Sequence, residues 1–167
     1  SGEHFWCQGY SEPGSGSDLA SLQMSAVEDG DDFICNGHKL WTTQAHEANW
    51  IFCLVRTDNS GSKHEGISFV LFDMEDPGVT VRPIKLIDGG YEVNEVWLTD
   101  VRVPATNLIG EEHKGWTYAK FLLAHERSGI AGVARSKRGV EQLKEIAAAE
   151  MLDGKPLIED MGFARKI

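Results

Sequence analysis

The sequence predicts a mainly β fold, a β-barrel or orthogonal sandwich over about residues 4–104, followed by a long α-helix from a helical bundle that this chain leaves incomplete. Two observations carry that reading. From Phe5 to Val103, short β-branched or aromatic runs alternate with turn residues, and helical periodicity is absent. After Pro104, Trp116, Ala119, Leu122, Leu123, Ile130, Val133, Val140, Leu143 and Ile146 recur at helical spacing, so one helix is expected over about 112–149.

The strand-like runs are residues 4–10, 21–28, 32–36, 38–43, 49–57, 67–74, 79–87 and 91–103. Asn36-Gly37 separates Phe33-Ile34-Cys35 from Lys39-Leu40-Trp41, and because an Asn-Gly pair tolerates positive φ, a two-residue hairpin turn is expected there. Asp58 to Gly66 reads as a polar loop, and Pro77-Gly78 and Gly89-Gly90 punctuate the later strands. Gly154, Lys155 and Pro156 end the long helix, and Ile158 to Ile167 reads as the start of another. A lone helix with an apolar stripe needs partners to bury it. The opening Ser1-Gly2-Glu3, running straight into Phe5-Trp6-Cys7, has the look of a piece of something longer.

A net charge of −10 disfavours a nucleic-acid groove, which needs a dense basic surface. Cys7, Cys35 and Cys53 lie in apolar contexts without a C-x-x-C pair, which fits reduced core thiols and a reducing compartment. No apolar run approaches the roughly 20 residues that span a bilayer, so a soluble, cytoplasmic protein without membrane or nucleic-acid partners is expected. The six histidines form no ligand pair at metal-binding spacing, and no metal is expected.

The densest chemical signal is Gly9-Tyr10-Ser11-Glu12-Pro13-Gly14-Ser15-Gly16-Ser17-Asp18, leaving a strand for a loop of glycines and hydroxyls. Such a loop exposes N–H and O–H groups to a flavin edge or a phosphate, although by composition alone it is equally a plain surface turn. An isolated Lys39-x-Trp41-Thr42-Thr43 reads as a strand with a core aromatic, and Glu126-Arg127 reads as a solvated helix pair.

The ordered combination says more. Ser11-Glu-Pro-Gly-Ser-Gly-Ser-Asp18 followed by Asn36-Gly-x-Lys-x-Trp-Thr-Thr43 resembles the acyl-CoA dehydrogenase family at both flavin motifs of its middle domain. The resemblance continues through Gly66-Ile67-Ser68-Phe69, Pro77-Gly78-Val79, Val101-Arg102-Val103-Pro104, Gly115-Trp116 and Glu126-Arg127. Asp88-Gly89-Gly90, Val93-Asn94-Glu95-Val96 and Gly115 to Lys120 look closest to bacterial pimeloyl-CoA dehydrogenase large-subunit-like members. It implies a middle β-barrel domain over 1–108 and the start of a C-terminal helical domain over 109–167.

By the same resemblance the cofactor is FAD. Gln8, Tyr10 and Ser11 fall at the flavin ring, with Tyr10 in place of the usual aliphatic residue. Gly16 and Ser17 approach both flavin and acyl-CoA, and Asp18 anchors the loop. Trp41 packs on the ring, with Thr42 and Thr43 completing the second flavin motif. Glu126 matches the catalytic base of a subset of the family and, with Arg127, stands at the substrate; other members carry the base further along the chain. The implied reaction is α,β-dehydrogenation of an acyl-CoA to a trans-2-enoyl-CoA. The implied partners are an acyl-CoA substrate, an electron-transfer flavoprotein or another acceptor, and further subunits in a homo-oligomer (dimer or tetramer) or heteromer. Two other readings of the same fold are a flavin monooxygenase or nitroalkane oxidase, and a non-catalytic subunit of a heteromeric dehydrogenase. Because family sites also draw on the C-terminal domain and a neighbouring subunit, this chain alone is expected to hold FAD weakly or not at all and to be inactive.

Overall fold

The computed structural model describes residues 2–167, with the backbone alone at 128 and 130, and the chain divides into two compact units, Ser1–Leu122 and Leu123–Ile167. In the first unit, strands β1 (Trp6–Gly9), β2 (Ser25–Asp29), β3 (Asp32–Thr43), β4 (Trp50–Arg56), β5 (Ile67–Asp73), β6 (Val79–Pro83) and β7 (Val93–Pro104) form one curled seven-stranded sheet. The order is β1-β4-β2-β3-β7-β6, with β5 pairing β4. β4 organises this unit: β1 runs parallel to Trp50–Cys53, β2 meets it at Arg56, and β5 is antiparallel along its whole length.

Alternation along each strand turns one set of side chains inward. Phe33, Ile51, Cys53, Phe72, Val96 and Val101 are among the residues that meet in the core, each at 3% exposure or less. Burying side chains of this size contributes about 1.5–3 kcal/mol each. The three cysteines are free and buried among them, and burial pushes the Cys7 and Cys35 thiols up to about 12 and raises that of Cys53 as well.

The Asn36-Gly37 hairpin is not there. β3 is continuous through both residues, and the tight turn lies earlier, at Gly30-Asp31 between the paired Asp29 and Asp32. The pair serves two other needs. β7 spends an extra residue between Leu98 and Val101, opposite Gly37 and Cys35, and the Asn36 side chain bonds Asp100 there in both directions, at 3.0 and 2.8 Å. Gly37 is where Met24 crosses the strand closely, since a Cβ would lie 2.9 Å from the Met24 Cα and nearer still to its side chain. A residue pair that favours turns here relieves a bulge and a close crossing.

The helical segment is also divided. α1 (Gly115–Ile130) and α2 (Val133–Ala149) replace the single helix expected over 112–149, because Gly132 adopts φ 56° and ends the first run. In the second unit α2 leads into a small hairpin, β8 (Met151–Leu152) with β9 (Lys155–Pro156), in place of a simple break. The expected helix over 158–167 shrinks to α3 (Met161–Ala164), whose first turn is capped by Asp160 accepting from the Phe163 N–H at 2.8 Å. No helix among the described residues is long and apolar enough to cross a membrane.

Candidate functional site

The exit of β1 and the end of β3 come together because backbone groups bond them. The Leu40 N–H donates to the Ser11 carbonyl at 2.8 Å, so β3 leaves its partner β7 and takes the serine segment as a neighbour. The departure has a cost in register. Lys39 pairs with Val96 and Thr42 with Asn94, so β3 spends one extra residue across that interval, and Trp41 sits at φ 62°. A bulky residue in the left-handed region is strained by about 1–2 kcal/mol. Up to Lys39 the inward positions are Phe33, Cys35 and Lys39; after the bulge the inward residue is Thr42, at 1% exposure. Trp41, which strict alternation would bury, is instead 56% exposed. The reading of Trp41 as a core aromatic therefore fails, and the reason is the bulge.

A cleft of about 250 Å³ opens between the two segments, lined by Gln8, Tyr10, Ser11, Leu40, Trp41 and Thr43. The structure thus brings together five of the residues expected at the flavin, from both motifs, and adds Leu40. Thr42 points into the core, where its carbonyl accepts from the Asn94 side chain at 3.0 Å. Asn94 also meets the His46 ring at 3.1 Å, so this buried amide holds the exit of the bulge. Gly16 and Ser17 do not line the cleft; they are exposed on the loop that continues from it.

That loop is built by its own hydrogen bonds. Glu12 and Ser15 exchange backbone bonds at 2.7 and 3.0 Å across Pro13-Gly14, and the buried Ser15 hydroxyl donates to the Leu19 carbonyl at 2.9 Å. Asp18 receives Lys63 on both carboxylate oxygens at 2.9 Å, which ties the loop to the 58–66 segment.

Behind the cleft lies an ion pair with no counterpart in the sequence reading. Lys39 is fully buried, and its ammonium donates to Glu12 Oε1 at 2.8 Å, the Leu54 carbonyl at 2.7 Å and the Tyr10 carbonyl at 3.3 Å. Glu12 accepts in turn from the Gln23 and Met24 N–H groups at 2.7 and 3.0 Å. In the sequence Lys39 follows Phe33 and Cys35 in the inward phase of β3, but its partner Glu12 lies 27 residues away on another segment.

A larger cavity of about 560 Å³ lies beside Arg56, Thr57 and His113, away from both motifs. Glu28, Asp58 and Glu112 line it, an unfavourable wall for phosphate-bearing ligands. Its cation is also engaged, because the Arg56 guanidinium donates to the Ala20, Leu22, Lys63 and Glu65 carbonyls. Glu126 and Arg127 stand on α1 in the second unit, Glu126 half-buried and Arg127 exposed.

A profile of the acyl-CoA dehydrogenase middle domain matches residues 7–117, which includes both motifs and every strand from β2 to β7. The chain belongs to the acyl-CoA dehydrogenase family. It is 44% identical to the acyl-CoA dehydrogenase FadE34 of Mycobacterium tuberculosis over 90% of this chain and 21% of that protein. It is 41% identical to the acyl-CoA dehydrogenase IpdE1 of the same organism, over 93% of this chain and 41% of that one. The chain thus spans well under half the length of these relatives. Among solved structures, the Tcur3481-Tcur3483 steroid ACAD superposes with a TM-score of 0.85 at 36% identity, over 99% of this chain and 42% of that one. Acyl-CoA dehydrogenases are flavoprotein oxidoreductases, and the cofactor implied for this one is FAD. The residues present fit it: an exposed indole, hydroxyls at Ser11 and Thr43, and the Gln8 amide converge on one cleft, which suits a flat ring with a polar edge.

Proposed function

We propose that the chain is the middle β domain, residues 1–108, and the start of the helical domain, 109–167, of an FAD-dependent acyl-CoA dehydrogenase that converts acyl-CoA thioesters to trans-2-enoyl-CoA. The observation that carries this reading is the shared cleft between the β1 exit and the β3 bulge, formed by both flavin motifs of the family. In it Trp41 offers the face on which the flavin ring lies, and Ser11, Thr43 and Gln8 offer polar groups to its edge. Gly16 and Ser17, exposed on the adjoining loop, offer N–H and O–H groups to the acyl-CoA. Thr42 acts indirectly, fixing the bulge from the core side.

FAD, when bound, supplies the two-electron acceptor for the β-hydrogen. The chain's own contribution is placement, since holding reacting atoms within about 3–3.5 Å removes much of the entropic barrier. Glu126 is the proposed base for the substrate α-proton, with Arg127 beside it at the substrate. Electrons leave to an electron-transfer flavoprotein or a similar acceptor, and the protein works as a homo-oligomer or, as the paired name of the steroid relative suggests, a heteromer.

The test is anaerobic mixing of the full-length, FAD-loaded protein with acyl-CoA thioesters. Bleaching of the flavin with one enoyl-CoA formed per flavin supports the reading. Glu126→Gln should retain FAD and substrate yet lose about 10²-fold or more in the rate of bleaching, a usual acid–base contribution. Near-normal bleaching would remove Glu126 from the role, and flavin reduction by no acyl-CoA would overturn the dehydrogenase.

A further inference from the structure

We propose that the buried Lys39–Glu12 ion pair is the positioning device of the flavin cleft, fixing the Trp41 bulge against the Ser11 strand end and thereby setting how the ring is held. The inference rests on the flavin reading of the cleft given above.

Taking an ammonium and a carboxylate out of water is costly, and well-packed apolar side chains of similar volume hold a fold equally well or better. Lys39, at 0% exposure, and Glu12, at 8%, therefore gain little for general stability by being charged. What they gain is geometry. An ammonium has three donors, and each of Lys39's has a separate acceptor: the Tyr10 carbonyl leaving β1, the Glu12 carboxylate in the serine loop, and the Leu54 carbonyl of β4. The two Glu12 oxygens then take the N–H groups of Gln23 and Met24 on the approach to β2.

The pair also sits directly against the cleft. Lys39 stands two residues before Trp41, and Glu12 follows Ser11 directly, so the pair joins the two strand segments just behind the residues that line the cleft. Between them lies a direct backbone bond, Leu40 N–H to Ser11 carbonyl at 2.8 Å. The strained φ of Trp41 persists only if its surroundings over-determine it. The ion pair supplies that constraint from the strand side, and Asn94 supplies it from the exit. Lys39 and Glu12 touch no ring atom in this account; they act through Trp41 and Ser11.

The experiment uses the full-length, FAD-loaded protein with Glu12→Gln and Lys39→Met. Glu12→Gln keeps the size of the side chain and removes one acceptor and the charge; Lys39→Met keeps the stem and removes the hub. Two quantities are read well below each variant's melting temperature: FAD affinity, and the emission of bound flavin, which a closely packed indole quenches. The FAD Kd should rise about tenfold in Glu12→Gln and about 10²-fold in Lys39→Met, the scale on which a misplacement of about 1 Å acts. Emission per bound flavin should rise with it while circular dichroism stays native. A purely structural pair would lower the melting temperature but leave Kd and emission within about twofold of wild type, and that result overturns the proposal. Should Lys39→Met fail to fold, Glu12→Gln decides on the same two readings. If the wild-type protein takes up no flavin, the reading of the cleft fails and this inference with it; if wild type binds flavin and the variants are unaltered, this inference alone fails.

Discussion

Phe72, Ile51, Val70 and Val96 of the β unit are completely buried, whereas Val140, Leu143 and Ile146 of α2 stand 37%, 42% and 58% exposed. Among the described residues after Leu122, Ala147 is the one hydrophobic residue that is buried. Both regions carry the apolar periodicity proper to their secondary structure, but only in the first do the apolar faces meet each other. A sheet that curls on itself supplies its own core, while α2 leaves its apolar stripe exposed within its own unit. The cleft sits on the self-sufficient unit, so its geometry is fixed by contacts that this unit already contains.

The sharpest probe of that contrast is thiol chemistry. The thiolate is the reactive form, and a pKa raised from 9.0 to about 12 leaves less of it at every pH below that value. Alkylation of Cys35 in the native chain should be slower by at least about a thousandfold than that of a cysteine introduced by Ile146→Cys, and comparable rates would break the contrast. Core truncation comes next. Phe72→Ala should cost about 3–5 kcal/mol in denaturant unfolding, while Ile146→Ala changes stability by less than about 0.5 kcal/mol. Equal losses at both positions would show that the helical stripe is already buried. Intermediate between these is Arg56→Met, which deprives four carbonyls of a charged donor and should cost about 2–3 kcal/mol.

How much of this was legible in the sequence differs between the same two regions. Every strand of the sheet falls on an apolar or β-branched run, because alternation is a local signal that the core enforces. What escaped were features set by long-range contacts. Asn36-Gly37 has the local chemistry of a turn, yet its partners are Asp100, 64 residues away in sequence, and Met24 on another segment. Gly132 looks like one more residue of a helical pattern until its φ of 56° is known. At the cleft, the two motifs pointed to Ser11, Trp41 and Thr43, and the resemblance carried Gln8 and Tyr10 from the strand just ahead of the first motif. The Trp41 bulge and the Lys39–Glu12 pair were hidden because a register shift and a buried charge are properties of paired strands, not of one strand read alone.

Trp41 gives the most direct test of the central claim, that the bulge sacrifices backbone comfort to present an indole to the flavin. Trp41→Gly removes the ring and relieves the positive φ, so the account predicts a melting temperature unchanged or raised, together with an FAD Kd at least about tenfold weaker in the full-length protein. A loss of about 3–5 kcal/mol in stability, as for a core tryptophan, or an FAD affinity equal to wild type, would contradict it.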